Sequence, residues 1–270
     1  MYHFGALQDI SLERLAQCFN LAFSDYEQPI CFTPKSLEYY LTASGVDRSL
    51  SFGAFCREEL VGFILNASGM YKGESVVFDA GTGVVPEHRG KNVFSALFAY
   101  TSEQLKQQGI AKYYLEVLQP NHHAVSIYSK KGFSVRREYS VLTASGPGRN
   151  DRIVAVPYQE FEGFPTAFSV EPSFEHTTYR IQQNPHLYEV LWLENGAYCI
   201  YAKRNGELIQ LHYNDLDALK EVISALICRY PSAMAKNIDC GCPDVIRMLT
   251  ELGFVEITKQ FEMAKDLSTA

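Results

Sequence analysis

The stretch VVPEHRGKNVF (84–94) places two cations and a glycine where a predicted strand ends and a predicted helix begins. The strand stops at Pro86, and Arg89, Gly90 and Lys91 follow before apolar residues recur at helical spacing. The first N–H groups of a helix have no partner inside the helix, and the helix dipole makes this end positive. Such an end suits an anion, a phosphate in particular. The sequence therefore predicts an anion site at this junction.

Titratable side chains on the neighbouring predicted strands are the candidates for proton transfer. Asp79 lies on the strand before the junction, and Glu116 lies on the strand after it. Each fits a solvated or paired acid at least as well as a general base, because a base must first meet the right geometry. His122 and His123 could take a proton near neutral pH, but they fit surface histidines better.

The elements that would position these residues form a mixed helix-and-strand pattern. Ser11 is a candidate N-cap for the first helix, and Pro34 suits the first turn of the second. Gly81 and Gly83 are unusual inside a strand and indicate a bulge or a close approach by another group. The predicted helices are 11–23, 33–42, 90–108 and 121–131, and the predicted strands are 49–56, 60–67, 75–85, 111–118 and 133–143.

A linker is predicted at ASGPGRND (144–151), which gathers turn-forming residues without apolar content. The aromatic stretch 158–179 follows, and it fits a loop-rich connection, or else a pocket or interface segment. Regular elements then resume. The predicted strands are 188–193, 197–203, 208–213, 234–239 and 254–264, and the predicted helices are 216–228 and 244–252.

The second half of the chain repeats the order of the first. AVSIYSKKGF (124–133) aligns with VIRMLTELGF (245–254), so that Gly132 falls on Gly253 at an offset of 121 residues. We interpret the halves as two copies of one α+β unit, 1–143 and 152–270. The second copy has LHYNDLDALK where the first has its cationic turn, so it has lost the polar residues of the junction.

The two motifs of the first half resemble those of the GNAT N-acetyltransferase superfamily. The junction resembles the acyl-CoA-binding motif R/Q-x-x-G-x-G/A after a strand ending V-x-P, with Asn92 and Phe94 at the two glycine positions. The stretch NHHAVSIYSKKGF (121–133) resembles the next motif, an Asn, an Ala, a Tyr and then Gly-Phe. The likeness covers about 60–141 directly. It implies an α+β fold with a mixed, mostly antiparallel sheet flanked by helices, in two tandem copies of which the second is degenerate.

By this resemblance, acetyl-CoA is the expected co-substrate. The backbone at Val84 and Val85 would pair with the pantetheine arm and direct an N–H at the thioester oxygen. The helix start would bind the pyrophosphate, and Tyr128 would protonate the departing thiolate. The predicted cofactor-binding residues are Val84, Val85, Arg89, Gly90, Lys91, Asn92, Val93, Phe94 and Asn121, and the catalytic candidates are Tyr128, Asp79 and Glu116.

The predicted function is acetyl transfer to a primary amine of a small molecule or a peptide. The alternative is a non-catalytic acyl-CoA-binding module used for sensing or scaffolding. Asn121 and Tyr128 each keep a structural alternative as well, an ordinary N-cap and a packed aromatic side chain respectively.

Composition limits the other function classes. The net charge of −7 disfavours nucleic acid and anionic membranes as partners. The seven cysteines are odd in number and scattered, so they predict neither a disulfide framework nor a metal site. The N-terminus MYHFGALQDI has no signal-peptide pattern, and no apolar stretch is long enough for a transmembrane helix. We therefore expect a cytoplasmic protein without a metal.

Overall fold

The computed structural model describes residues 1–26, 30–146, 148, 152–164, 168–194 and 196–267. The predicted linker 144–151 and the aromatic stretch 158–179 lie partly outside these residues. The helices are α1 (Leu12–Ala22), α2 (Pro34–Ala43), α3 (Val93–Gln107), α4 (His122–Lys130), α5 (Thr178–Gln183), α6 (Leu216–Arg229) and α7 (Pro243–Glu251). The strands are β1 (Tyr2–Ala6), β2 (Phe52–Cys56), β3 (Glu59–Tyr71), β4 (Glu74–Val84), β5 (Lys112–Leu118), β6 (Ser134–Ala144), β7 (Ala155–Pro157), β8 (Tyr188–Leu193), β9 (Ala197–Ala202), β10 (Leu208–His212), β11 (Met234–Asp239) and β12 (Phe254–Asp266).

Every helix and strand predicted from the sequence is present, with ends shifted by a few residues. Three elements were not predicted, namely β1, β7 and α5. All three are short. The strand β1 pairs with β2, and β7 pairs with β8, each in an antiparallel manner. Segments of this length carry too little hydrophobic periodicity to be detected from sequence.

The chain forms two compact units, Met1–Leu115 with the residues from Ala264 on, and Glu116–Met263. Each unit takes residues from both predicted copies. The first unit includes the end of β12, and the second includes β6. The boundaries 1–143 and 152–270 stay a prediction about the repeat.

The sheet of the first unit runs β1-β2-β3-β4-β5. The first four strands are antiparallel, and α3 connects β4 to β5, which are parallel. The parallel pairing extends from Val76 opposite Lys112 to Asp79 opposite Leu115. β4 then continues to Val84 paired with β3. Among the described residues, the register pairs no part of β5 with this last stretch of β4, so its edge is available beside the junction.

A bulge and a close approach explain the two glycines of β4. The register with β3 shifts between Asp79 and Gly81, so Ala80 is the extra residue. At Gly83 an added Cβ would lie 2.8 Å from the Phe63 ring and 2.9 Å from the Ala22 Cβ. Both interpretations of the sequence are therefore confirmed. The glycine at 83 allows α1 to pack tightly on this end of the strand.

The sheet of the second unit runs β12-β6-β11-β10-β9-β8-β7. β8, β9 and β10 form an antiparallel meander, and α6 connects β10 to the parallel strand β11. This is the same arrangement as β4-α3-β5 in the first unit. α6 and α7 pack on the sheet through a large apolar core, including Leu219, Val222, Leu226, Val245 and Leu249.

The end of β12 is part of the core of the first unit. Leu267 is 1% exposed, and its N–H donates to the Ala111 carbonyl at 2.9 Å. The Lys265 ammonium lies 5.0 Å from the centre of the Phe98 ring. Residues 264–267 therefore belong to the same unit as the first residues of the chain.

Leu267→Ala should lower the free energy of unfolding by about 2–5 kcal/mol, because it leaves a cavity in this core. The control is Val255→Ala on the same strand, where the side chain is 54% exposed. That change should cost about 0.5 kcal/mol or less. Urea unfolding of both variants measures the difference. Equal small losses would contradict the packing described for Leu267.

Candidate functional site

The junction between β4 and α3 depends on two residues with left-handed backbone. After a short turn, Gly90 has a φ of +70° and Asn92 has a φ of +62°. Glycine adopts this region freely, and asparagine tolerates it better than most residues. Asn92 therefore serves at the position where the motif has a glycine. Val93 is the next residue and the first of the helix.

The first turn of α3 is open toward solvent. The side chain of the N-cap residue, Asn92, makes no hydrogen bond to it, although the Asn92 carbonyl accepts from the Ala96 N–H at 3.1 Å. Gly90 and Lys91 are exposed, and a Cβ added at Gly90 would meet nothing within 4 Å. The helix start can thus be approached closely by a ligand. An uncapped helix N-terminus with a nearby cation is suited to a phosphate group.

Phe94, at the second glycine position of the motif, packs along its own helix. Its ring lies 5.9 Å from that of Phe98, one turn further on, at an interplanar angle of 33°. Phe98 in turn stacks on Tyr113 at 5.8 Å. The large side chain is therefore accommodated by the aromatic face of α3.

Arg89 is engaged with other residues of the first unit. Its guanidinium donates to both carboxylate oxygens of Asp25, at 2.5 and 3.1 Å. It also donates to the carbonyls of Ala22, at 2.7 Å, and Val84, at 3.0 Å. The hydrogen bonds between Arg89 and Asp25 lower the pKa of Asp25. Arg89 thus joins the end of α1 to the end of β4, and its contact with a pyrophosphate stays a prediction.

The backbone of the junction is partly used within the unit. The Val85 N–H donates to the Val61 carbonyl at 2.9 Å, and the Val85 carbonyl accepts from the His88 N–H at 2.9 Å. The Val85 N–H is thus not available to a pantetheine arm. The predicted pairing is confined to Val84 and the residues of β4 before it.

Asp79 holds the bulge of β4. Its carboxylate accepts from the Thr82 hydroxyl, at 2.9 and 2.7 Å, and from the Gly81 N–H at 3.0 Å. This is the paired-acid alternative that the sequence left open.

The remaining predicted residues belong to the second unit. Asn121 caps α4, since its side-chain oxygen accepts from the Ala124 N–H at 3.1 Å. Tyr128 lies on α4, half-buried, and its ring meets that of Phe133 edge-on at 5.5 Å. The structural alternatives raised for the two residues are therefore both present, the N-cap for Asn121 and the packed aromatic ring for Tyr128. The cofactor contact of Asn121 and the acid role of Tyr128 stay predictions.

Glu116 is held in a buried polar cluster of the second unit. Its side chain is 6% exposed, and both of its oxygens accept from the Asn237 amide at 2.8 Å. One oxygen also accepts from Gln260 at 3.2 Å and lies 3.9 Å from the Lys236 ammonium. Burial and the negative charge of Glu175 raise the pKa of Glu116 to about 7, against the opposing effect of Lys236. A carboxyl group poised near neutral pH suits proton transfer.

The partners of Glu116 were not predicted from the sequence. One signal pointed to them, because Asn237 lies 121 residues after Glu116 and so occupies the equivalent position in the second copy. Gln260 donates to the Asn237 side chain, and Arg137 and Tyr139 contact Glu262 on the same strand, β12.

Comparison with known proteins shows the fold. Residues 13–133 match the model of the acetyltransferase (GNAT) family. The whole chain is similar in structure to a candidate acetyltransferase from Pyrococcus horikoshii, with a TM-score of 0.67 and 12% identity over 100% of this chain and 91% of that one. It is also similar to a GCN5-related N-acetyltransferase from Sphaerobacter thermophilus, with a TM-score of 0.66 and 11% identity over 100% and 96% of the two chains.

A third similar structure is a tandem GNAT protein from the clavulanic acid biosynthesis pathway. Its TM-score is 0.63 at 12% identity, over 100% of both chains. At these identities the likeness shows the fold alone. The chain therefore has the α+β GNAT fold in two tandem copies, and residues 13–133 match the model of the GNAT family. No curated protein matches the chain.

The described residues contain no cluster of three or more His, Cys, Asp or Glu side chains that could hold a metal ion. None of their helices has the length and apolar character needed to cross a membrane.

The left-handed backbone at position 92 predicts how substitutions there behave. Asn92→Val should lower the free energy of unfolding by about 1–2 kcal/mol, because a β-branched residue is strained at positive φ. Asn92→Gly should change it little, because glycine adopts the same backbone freely. Thermal unfolding of both variants measures this contrast. Similar stabilities for the two would contradict the left-handed turn.

The raised pKa of Glu116 predicts a pH-dependent stability. Between about pH 4.5 and 7 the folded protein keeps a proton on Glu116 that the unfolded chain releases, so this contribution to stability falls as pH rises. Glu116→Gln removes it. The stability of the wild type relative to Glu116→Gln, from urea unfolding, should therefore decline from about pH 5 to about pH 8.

The difference between the two proteins cancels the effects of other groups, such as His176, whose pKa burial lowers to about 4. The exposed Glu38 serves as control, and Glu38→Gln should parallel the wild type across the same range. A constant difference between wild type and Glu116→Gln would show that the Glu116 pKa is not raised.

Proposed function

We propose that the chain is an acetyl-CoA-dependent N-acetyltransferase that acts on a primary amine of a small molecule or a peptide. The observation that supports this most directly is the uncapped first turn of α3, entered through Gly90 and Asn92 beside the end of β4. This turn lies within the residues that match the GNAT family. The predicted location, the cytoplasm, stays a prediction.

The residues of the junction suit the phosphates of acetyl-CoA. The first N–H groups of α3 and the positive end of its dipole would bind the pyrophosphate. Lys91 would add a cation next to them, and the absence of a side chain at Gly90 leaves space for close approach. The residues of β4 up to Val84 would pair with the pantetheine arm. Acetyl-CoA supplies the acetyl thioester itself.

The transfer requires a neutral amine and a proton for the departing thiolate. Tyr128 is proposed as the donor of that proton, on the strength of its place in the second motif. Asp79 and Glu116 both stay candidate bases, and each accepts hydrogen bonds from its own surroundings; the pKa of Glu116 is raised to about 7 by burial. Asp79 accepts from the Thr82 hydroxyl and the Gly81 N–H at the bulge.

The cofactor site is tested by calorimetric titration with acetyl-CoA. Lys91→Glu should weaken binding by at least about tenfold, because it replaces an attraction for phosphate by a repulsion. Arg89 is a less suitable target, since its replacement also breaks the contact with Asp25.

The matched control is Lys106→Glu, in the last turn of the same helix. It makes the same change of charge far from the proposed phosphates, so it should change the dissociation constant by less than about threefold. Equal losses in both variants would attribute the effect to net charge and contradict a phosphate site at Lys91.

The chemistry is tested by thiol release across a panel of amines. Tyr128→Phe should lower kcat by about 10²–10⁴-fold, the range for a general acid, without changing the affinity for acetyl-CoA. Tyr179→Phe, at an exposed tyrosine of the same unit, should keep full activity.

The same assay separates the enzyme from the alternative. A non-catalytic acyl-CoA-binding module would bind acetyl-CoA but would release no thiol in response to any amine of the panel. Full activity in Tyr128→Phe would exclude Tyr128 as the proton donor.

A further inference from the structure

In the second unit, as in the first, two neighbouring parallel strands separate after a short paired stretch, and we call the gap between them a fork. β10 and β11 are joined through α6, as β4 and β5 are joined through α3. Their register contains one parallel pair, Leu208 opposite Ala235, and no other is formed among the described residues. The strands therefore separate almost at once. In the first unit, the corresponding place is where the proposed cofactor would lie along β4.

Residues 169–176 of the same chain occupy the β10 side of this fork. The Ser169 hydroxyl donates to the Tyr213 carbonyl at 2.8 Å and accepts from the Tyr213 N–H at 3.2 Å, so a side chain of the segment occupies both backbone groups of Tyr213. The Gln210 amide, which is buried, donates to the His176 carbonyl at 2.6 Å. Both ends of the segment are thus bonded to β10 or the residue after it.

The β11 side of the fork is bonded to the middle of the segment. The Lys236 ammonium lies 2.5 Å from the Glu175 carboxylate, and the Asn237 amide donates to the Ser173 hydroxyl at 3.0 Å. Ser173 is fully buried. Lys236 outweighs burial and lowers the pKa of Glu175, which keeps the ion pair charged.

Arg137 of β6 completes the attachment. Its guanidinium donates to the carbonyls of Glu171, at 3.0 Å, and Pro172, at 3.1 Å. It is fixed by an ion pair with Glu262 at 2.9 Å. The cavity left between the segment, β10 and β11 is about 20 Å³, roughly the space for one water molecule.

The helix start next to this fork is also occupied. The Asp215 carboxylate caps α6 by accepting from the N–H groups of Asp217 and Ala218, at 3.3 Å each. Asp217 adds a second acid in the first turn. A carboxylate therefore takes the position that an anionic ligand would need, and it repels a phosphate. The start of α3 has no such side-chain cap.

We propose that residues 169–176 are an internal ligand of the second unit, which fills its fork and excludes acyl-CoA from it. The chain then binds one acyl-CoA, at the start of α3. The statement about α3 rests on the proposed function, whereas the closure of the second fork stands without it.

Hydrogen exchange of the free protein tests the closure. Peptides covering 169–176 should exchange at least about 100-fold more slowly than an unstructured chain, because the segment is buried and bonded on three sides. Glu175→Gln removes the ion pair with Lys236 and should speed this exchange by about fivefold or more. Glu171→Gln is the matched control, since that side chain is exposed, and it should leave the rate unchanged.

Titration with acetyl-CoA tests the exclusion. The expected result is one molecule per chain, with no change in the exchange of 169–176 on binding. Two molecules per chain, faster exchange of the segment on binding, or fast exchange in the free protein would each overturn the proposal. If the wild type binds no acetyl-CoA, the proposed function fails, and the exchange of the segment and its response to Glu175→Gln still decide the closure.

Discussion

The candidate site depends on a backbone that enters the left-handed region twice within three residues, at Gly90 and Asn92. This turn ends the connection from β4 and leads into α3, and the side chain of its N-cap residue makes no hydrogen bond to the first N–H groups. A helix start normally satisfies those groups with a capping side chain or with water. Here the Asn92 carbonyl accepts a hydrogen bond from the helix, but the Asn92 side chain makes none to the first turn. The positive end of the helix dipole therefore remains directed at the space beside β4.

The two units show what the same connection does with different residues. In each, a helix joins two parallel strands, but α6 begins with Asp215, whose carboxylate bonds the first turn. The difference is one of local chemistry rather than of topology, since one acidic side chain is enough to occupy the donors and reverse the local charge. The second copy has lost the glycines and cations of the first. In their place it has residues that form hydrogen bonds with the polar groups that a ligand would otherwise contact. A buried fork without a ligand would leave polar groups unpaired, which costs more than filling it.

The sequence predicted the long, periodic elements and the order of the junction, because hydrophobic spacing and turn residues are local signals. It could not predict the partner of Arg89, because Asp25 lies 64 residues away in a turn with no pattern of its own. Nor could it predict that β6 and the end of β12 contribute to units other than those of their own copies, because hydrophobic spacing is a local signal and does not name the packing partner. The sequence did contain a signal for one partner of Glu116, because the offset of 121 residues between the copies places Asn237 at the equivalent position.

That pair explains why a cluster of charged groups is tolerated inside the second unit. Glu116 and Asn237 stand at matching positions of β5 and β11, and the donor of one meets the acceptor of the other. Removing either partner would leave a buried charge or amide unpaired, which is more costly than the pair is favourable. We therefore interpret the cluster as a contribution to the specificity of strand placement in the second unit, with the raised pKa of Glu116 as the consequence of burying an acid near Glu175 and Glu262. A group made to hold a register would thereby have acquired the titration range that proton transfer requires.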